Sequence, residues 1–413
     1  MIGPPASDSR VRSRSDGSLP RVRSAAGDRP VSVGLLTTLN TNIGDDFIRE
    51  GLIQVVERLV PGRYVRYLTV NKHEPGTVYK SWHPIRWLYS KNLRRRRNTG
   101  QLRRWAVRCL PPFGFSRFDE CDIVLQCGTP VIWEGCRNSE WAAVIWRGVF
   151  ARLARRGVPV LNLGGGSCYP LERCPATLLG SPDEEFVRLM LDTVRLTTVR
   201  DRLAQQLFGS LGHETLRLCC PALIAAQVYA KPAAPTRKVL INFMHGGGHS
   251  MWGQGIDPSV WESTMHEVIA QLGAQGWQPL IIAHDEKEID IARRLWPDLP
   301  HTLPASPLEY FETARDAAFG VFNRMHASVS LAGLGIPSVT VGTDSRNLMV
   351  ENLGLPVLFV KEATPSRIFT AIAELLRCRE AESRRLLALR ETALRDYEGC
   401  LRPFFAPFTA GLN

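Results

Sequence analysis

Residues 316–346, DAAFGVFNRMHASVSLAGLGIPSVTVGTDSR, contain the elements of one complete fold unit. The apolar run Phe319–Phe322 reads as a short buried strand and Asn323–Arg324–Met325–His326 as its carboxyl end. Ala327–Leu334 reads as a small-residue helix that returns through Gly335–Ile336–Pro337 to a strand at Ser338–Val341. This is a βαβ unit, and in an open parallel sheet ligands bind in the crevice beyond the carboxyl ends of the strands. Arg324 and His326 are therefore expected to face a ligand. Arginine offers a fixed fork of donors suited to phosphate or carboxylate, and histidine exchanges a proton near neutral pH, so the pair points to an anionic substrate and acid catalysis.

The same alternation extends upstream. Candidate strands at Val31–Thr37, Tyr64–Thr69, Ile123–Gln126, Val158–Leu163 and Leu196–Val199 alternate with helices at Asp45–Leu59, Trp141–Arg156, Glu184–Thr193 and Arg202–Gly209. Lys231–Pro232–Ala233–Ala234–Pro235 reads as a domain boundary. Strands at Val239–Phe243 and Pro279–Ile282, with helices at Pro258–Leu272 and Lys287–Leu295, then lead into the βαβ unit. The expected fold class is α/β, with two Rossmann-like domains, 31–230 and 237–363, facing a cleft. Residues 364–413 should start a long helix at Pro365, capped by Thr364 and running to about Tyr397, that crosses back onto the first domain. Residues 1–30, rich in Arg, Ser, Pro and Gly, should form a disordered tail.

Three further segments fall at the cleft on this reading. Gly164–Gly165–Gly166–Ser167 follows a strand and reads as a tight turn whose glycines let backbone N–H groups approach an anion or a sugar; Gly165 and Gly166 are candidate contacts. It matches neither a P-loop nor a nucleophile elbow. His245–Gly246–Gly247–Gly248–His249 follows Val239–Phe243, and three glycines give its two imidazoles no common helical face for a metal, so His245 and Gly246 are read as substrate contacts. His284–Asp285 ends the strand Pro279–Ile282 on the same edge, with ordinary loop capping as the alternative reading.

The chain resembles the polysaccharide pyruvyl transferase family. The family's Arg-x-His, small-residue helix, Gly-x-Pro turn, strand, and loop with Asp and a basic residue correspond to Arg324, His326, Gly335, Pro337, Asp344 and Arg346. Asn40–Thr41–Asn42–Ile43–Gly44–Asp45–Asp46 looks like the family's Asn-x-Gly-Asp opening, and Thr197–Thr198–Val199–Arg200–Asp201 is similar to its strand-Arg-Asp segment. The chain departs from the family at Gln126–Cys127–Gly128–Thr129–Pro130, where a triple glycine is common, and at Phe243–Met244–His245, where a Ser-Leu-Arg-like segment is common. The resemblance implies transfer of the carboxyvinyl unit of phosphoenolpyruvate to two hydroxyls of a sugar, with phosphate released. It implies His326 as general acid, Arg200 and Arg324 on the phosphate and carboxylate, and Asn42 and Asp45 orienting acceptor hydroxyls. Such a scheme needs no metal or bound cofactor. A two-Rossmann (GT-B-like) cleft also suits a nucleotide-sugar glycosyltransferase, with Asp344 on the ribose and Arg346 on the diphosphate.

The net charge of +11 is concentrated in two places. Residues 1–29 carry +3 and residues 80–108 carry +10, leaving a catalytic body near neutrality at −2. No basic helix with heptads, zinc finger or aromatic RNA-binding signature accompanies the charge, so nucleic acid is not the expected partner. Residues 82–108, WHPIRWLYSKNLRRRRNTGQLRRWAVR, interleave aromatic and basic side chains and suit an anionic membrane surface, where a lipid-linked acceptor would be met. The ten cysteines form no Cys-x-x-Cys pair, and no apolar run approaches the ~18 residues that span a bilayer. These features lead us to expect a cytoplasmic protein with reduced thiols, peripheral at the inner face of the membrane.

Overall fold

Parallel strands buried on both faces should read as unbroken apolar runs, and two such runs are interior strands, one in each sheet. Every residue of VSVGLLT at Val31–Thr37 and of FGVF at Phe319–Phe322 is buried. The computed structural model describes residues 29–39, 42–89, 116–128, 130–229, 233–248 and 251–409. The first sheet contains β1 (Val31–Thr37), β2 (Val65–Asn71), β3 (Ile123–Cys127), β4 (Pro130–Trp133), β5 (Val160–Cys168), β6 (Leu196–Val199) and β7 (Leu216–Arg217). Its order is β2-β1-β3-β5-β6-β7, with β4 beside β5. The second contains β8 (Lys238–Asn242), β9 (Gln278–Ile282), β10 (His301–Thr302), β11 (Phe319–Phe322), β12 (Ser338–Gly342) and β13 (Val357–Phe359), ordered β10-β9-β8-β11-β12-β13. All pairings are parallel. Strand order reverses between β1 and β3 and between β8 and β11, and these reversals mark the crevices in which doubly wound sheets bind ligands.

The expected strands β1, β6 and β11 have the bounds read from the sequence. Four short strands, β4, β7, β10 and β13, were not anticipated; the last three have only two or three residues, too few to show a periodicity. The expected turn at Gly164–Ser167 is instead strand, because β5 continues to Cys168. Glycine is needed there for close approach: a Cβ on Gly164 would lie 2.8 Å from Pro221 Cδ, and one on Gly166 would lie 2.7 Å from Arg200 Nε. The expected C-terminal helix is two helices, Pro365–Arg377 and Arg379–Phe405, separated at Cys378, whose φ of −116° and ψ of 25° are not helical. The second of them crosses back onto the first half. Tyr397 Oη donates to Cys219 O at 3.2 Å and Arg58 pairs with Glu398.

A helix at Ala222–Tyr229 also escaped the sequence reading, for a physical reason. ALIAAQVY is apolar almost all round and so lacks an amphipathic stripe, as expected of a helix with neighbours on every side. Ala222–Ala226 are fully buried in one continuous core that includes residues of both sheets. Helix Ile43–Leu59 from the first half and helix Met325–Gly333 from the second both pack on this element. A Cβ on Gly51 would stand 2.0 Å from Pro221 O, and one on Gly333 would stand 2.4 Å from Leu223 O. The halves are therefore joined by interdigitated helices. Residues 90–108 of the basic segment, Lys231–Pro232 of the expected boundary and His249 lie outside the described residues.

Gly51→Ala should consequently be destabilising even though alanine favours helices. The added methyl meets a backbone carbonyl that cannot rotate away, and overpacking of this kind costs about 1–3 kcal/mol. Denaturant unfolding should show this loss, whereas alanine at Gly399, which has open space around its Cβ position, should be neutral or stabilising.

Candidate active site

Strand ends from both halves deliver the candidate residues to one place. Asn42 caps helix Ile43–Leu59 after β1, its side chain accepting from Gly44 N at 2.8 Å. The cap brings the helix start against His326, since a Cβ on Gly44 would fall 2.6 Å from His326 Nδ1. Arg200 ends β6 and is followed by Asp201, which caps helix Arg202–Gly209 by accepting from Ala204 N at 2.7 Å. Arg324 caps helix Met325–Gly333 after β11, so His326 lies in the first helical turn and not on the strand.

Arg200 and His326 meet across the two halves. Arg200 is 1% exposed, and its Nη1 lies 3.2 Å from His326 Nε2 and 3.1 Å from Gly128 O. A guanidinium only donates, so Nε2 accepts and the ring proton is assigned to Nδ1. Arg200 Nε and Nη2 are buried without a partner, and its charge has no carboxylate ion pair among the described residues. Burial, reinforced by the positive charges of Arg200, Arg346 and Arg324 and by His284, holds the His326 imidazole well below its ordinary value near 6.5. His326 is therefore neutral at physiological pH.

The loop after β12 places Asp344 and Arg346 as one unit. Asp344 is 1% exposed and holds Arg346 bidentately, with Nε–Oδ1 at 2.8 Å and Nη2–Oδ2 at 2.7 Å. The loop is clasped to the end of β5. Ser345 N donates to Tyr169 O at 2.8 Å, Tyr169 N donates to Ser345 Oγ at 3.0 Å, and Ser345 Oγ lies 2.8 Å from Ser167 Oγ. Ser167 Oγ in turn donates to Asp201 Oδ1 at 2.8 Å. Gly165 and Gly166 belong to this frame: Gly165 O accepts from Arg200 N at 2.9 Å, and Gly166 leaves space for the Arg200 side chain.

Other candidates have different partners from those expected. Arg324 pairs through Nη2 with Asp285 at 2.5 Å and through Nε with Glu288, so two of its three donor nitrogens already face carboxylates. His245 is exposed and pairs with Glu262 Oε1 at 2.8 Å, and Gly246 turns the chain with a φ of +68°. Neither joins the Arg200–His326 cluster by a hydrogen bond. Among the described residues no group of His, Cys, Asp and Glu is arranged to hold a metal ion.

Two further residues lie near the cluster: His284, already placed on this edge together with Asp285, and Lys72, which went unread. His284 is 4% exposed, stands edge-on to Phe47 and Tyr310, and has no partner for either ring nitrogen; burial and then Arg324 hold its imidazole well below 6.5. Lys72, the residue after β2, is 9% exposed and feels the charges of Asp45, Arg200 and Arg346. A lysine or histidine just after a strand looks like a surface residue until distant elements pack against it.

The fold and cluster define a GT-B-like enzyme cleft with a cationic centre. The architecture is similar to that of UDP-N-acetylglucosamine 2-epimerase from Neisseria meningitidis bound to UDP-GlcNAc, with a TM-score of 0.51 at 11% identity over 90% of this chain and 100% of that one. It is also similar to a Listeria monocytogenes protein described as a UDP-N-acetylglucosamine 2-epimerase, with a TM-score of 0.52 at 10% identity over 92% and 98% of the two chains. A search of curated proteins finds no match to the sequence. The polysaccharide pyruvyl transferase family profile matches residues 42–345, and the chain belongs to that family.

Both depressed imidazoles link folding to pH. Unfolded histidines take up protons near pH 6.5, whereas His284 and His326 in the folded protein stay neutral to well below that value. Their contribution to stability is fully present above about pH 6.5 and is lost as pH falls below it, by up to about 1.4 kcal/mol per unit for each ring. His284→Phe, which suits the aromatic surroundings, should remove one proton's share of the slope of unfolding free energy between about pH 6.5 and 5. An unchanged slope would exclude His284 as its source.

Proposed function

We propose that the cleft transfers the carboxyvinyl unit of phosphoenolpyruvate to two hydroxyls of a sugar or glycan, giving a pyruvate ketal and inorganic phosphate. The observation that carries this reading is Arg200, a guanidinium 1% exposed that contacts the His326 imidazole of the other half and has no carboxylate ion pair among the described residues. A buried cation with no carboxylate in contact is costly, and an anionic donor relieves that cost. In the reaction the enol carbon gains a proton and the first acceptor hydroxyl adds at the adjacent carbon. The bond to phosphate then breaks and the second hydroxyl closes the ketal. Of the two hydroxyl protons, one replaces the proton given to carbon and the other leaves on phosphate.

His326 is the general acid in this scheme. Arg200 and Arg346, the latter oriented by Asp344, hold the donor's anionic groups, and Asp45 orients an acceptor hydroxyl. Arg324, engaged by Asp285 and Glu288, braces the strand end that carries His326. No step calls for a metal or bound cofactor. His326 gains its proton with the donor, because a phosphate and a carboxylate beside the ring counter the repulsion of the arginines. A nucleotide-sugar glycosyltransferase would need a free acid for the ribose, and both oxygens of Asp344 are already bonded to Arg346.

Phosphate release from phosphoenolpyruvate should depend on a glycan acceptor, and His326→Ala should lower turnover by on the order of 10²–10⁴. Calorimetry in buffers of different ionisation enthalpy should show proton uptake on phosphoenolpyruvate binding, absent in His326→Ala. Release of a nucleoside diphosphate from a sugar nucleotide, with no phosphate from phosphoenolpyruvate, would select the glycosyltransferase reading.

We infer further that the acceptor is lipid-linked and that residues 82–108 hold the protein at an anionic membrane. Trp82 and Trp87, at the described end of this segment, are 69% and 63% exposed. No helix among the described residues is long and apolar enough to cross a membrane. Each basic side chain near such a surface contributes about 1 kcal/mol, an attraction that salt screens. Wild-type protein should sediment with anionic liposomes at low salt and be released by added salt. Serine at Arg94–Arg97 should abolish sedimentation and spare activity on a water-soluble acceptor; wild-type protein that ignores the liposomes would refute the membrane role.

A further inference from the structure

Lys72 follows β2, an edge strand of the first sheet, and its N–H donates to Thr37 O at 2.8 Å, which sets it beside the end of β1. Nothing in the sequence distinguishes it from a surface lysine, yet it is only 9% exposed. Its Nζ lies 5.9 Å from the centre of the Trp141 ring and makes no hydrogen bond or ion pair among the described residues. The charged groups that act on it come from three other strand ends: Asp45 after β1, Arg200 after β6, and Arg346 after β12 of the second half. Two of the three repel it. Burial first, and then Arg200 and Arg346, favour loss of its proton, while Asp45 opposes this.

A lysine placed here for stability would be given a carboxylate in contact, because an unpaired buried charge is strongly unfavourable. Lys72 has instead an aromatic wall and like-charged neighbours, so folding gains little from its ammonium. We propose that Lys72 is a ligand-binding residue of the cleft whose ammonium takes the phosphate oxygens of the donor. The assignment rests on the donor reading given above and divides the work by geometry. The planar edge of Arg200 formed by Nε and Nη2, unpartnered in the structure, matches a carboxylate. The compact ammonium of Lys72 is a point charge suited to the phosphate, whose bridging oxygen gains negative charge as its bond to carbon breaks.

Lys72→Met keeps the stem against Trp141 and removes the charge, and Lys72→Arg keeps a charge. Both full-length variants and the wild type would be titrated with inorganic phosphate, phosphoenolpyruvate and UDP by calorimetry, and thermal unfolding measured without ligand. The result expected is that Lys72→Met binds phosphate and phosphoenolpyruvate at least tenfold more weakly, with an unfolding temperature equal to or above wild type, because an unpaired buried cation is gone. Lys72→Arg should retain most of the affinity, and in turnover Lys72→Met should raise KM for phosphoenolpyruvate and lower kcat. Unchanged phosphate and phosphoenolpyruvate affinity in Lys72→Met would overturn the assignment, as would an unfolding temperature several degrees below wild type, which marks a structural role. If wild type binds UDP but not phosphoenolpyruvate, and Lys72→Met loses UDP, the donor reading fails while Lys72 stands as a phosphate-oxygen site. Wild-type protein that binds none of the three ligands overturns both.

Discussion

The guanidinium of Arg200 is the constraint around which the centre of this molecule is arranged. It leaves β6 in the first half, donates to Gly128 O beyond β3, and reaches His326 of the second half. Its own carbonyl accepts from Asn352 Nδ2 at 2.6 Å, again from the second half. Neighbouring positions are small because of it. Any side chain at Gly166 would strike Arg200, and any at Gly44 would strike the imidazole that Arg200 contacts. A charge so placed gives little to folding, since no counter-ion in contact offsets its desolvation. The energetic return comes when an anion enters.

Holding that charge in place requires the two halves to be fixed with respect to each other, and two features do this. One is polar. The loop that carries Arg346 forms an antiparallel bridge between Asp344 and Pro170, and Ser345, Ser167 and Asp201 form a buried chain of hydrogen bonds from the second half to a helix cap of the first. The other is apolar: helix Ala222–Tyr229 lies between helices of both halves, which approach closely because Gly51 and Gly333 have no side chains. A site held in this way is preorganised, so its cations need not move together when a donor binds. The same packing explains why β5 runs through the glycines at 164–166. They form a narrow passage for a strand between Pro221 on one side and Arg200 on the other.

Arg324 and Arg200 illustrate how the same residue type acquires different roles. Both follow a strand and precede a helix. Arg324 meets the start of helix Glu286–Leu295, where Asp285 and Glu288 present carboxylates, and its charge is balanced there. Glu288 is itself tied to Asn242 Nδ2 at 2.8 Å and to His284 N at 2.8 Å, which makes Arg324 a brace between β8, β9 and β11. Arg200 meets an imidazole, the Gly128 carbonyl and the Cys220 thiol, and no carboxylate is in contact with its charge among the described residues.

Much of this was legible in the sequence because it is local. The apolar runs of β1, β6 and β11, the cap Thr364, and the return through Gly335 and Pro337 depend on residues within a few positions of each other, and the order of these elements gives two doubly wound halves. The placement of Arg200, Asp344 and Arg346 after strands followed from that order, as did that of His326 near β11, although it lies in the first turn of the next helix. Other features depend on contacts between residues far apart in the chain, and only the tertiary structure decided them. Helix Ala222–Tyr229 has no stripe to recognise because both halves cover it, and Gly164–Gly166 looks like a turn until Pro221 and Arg200 are seen on either side. Arg324 looks free until Asp285 and Glu288 arrive from 36–39 residues away. Lys72 and His284 look like ordinary strand-end residues until Trp141 and Phe47, far from them in the chain, pack against them. Local sequence sets which backbone conformations are favourable, whereas burial and charge pairing are set by what folds against each residue, and in this protein that partner usually comes from the other half.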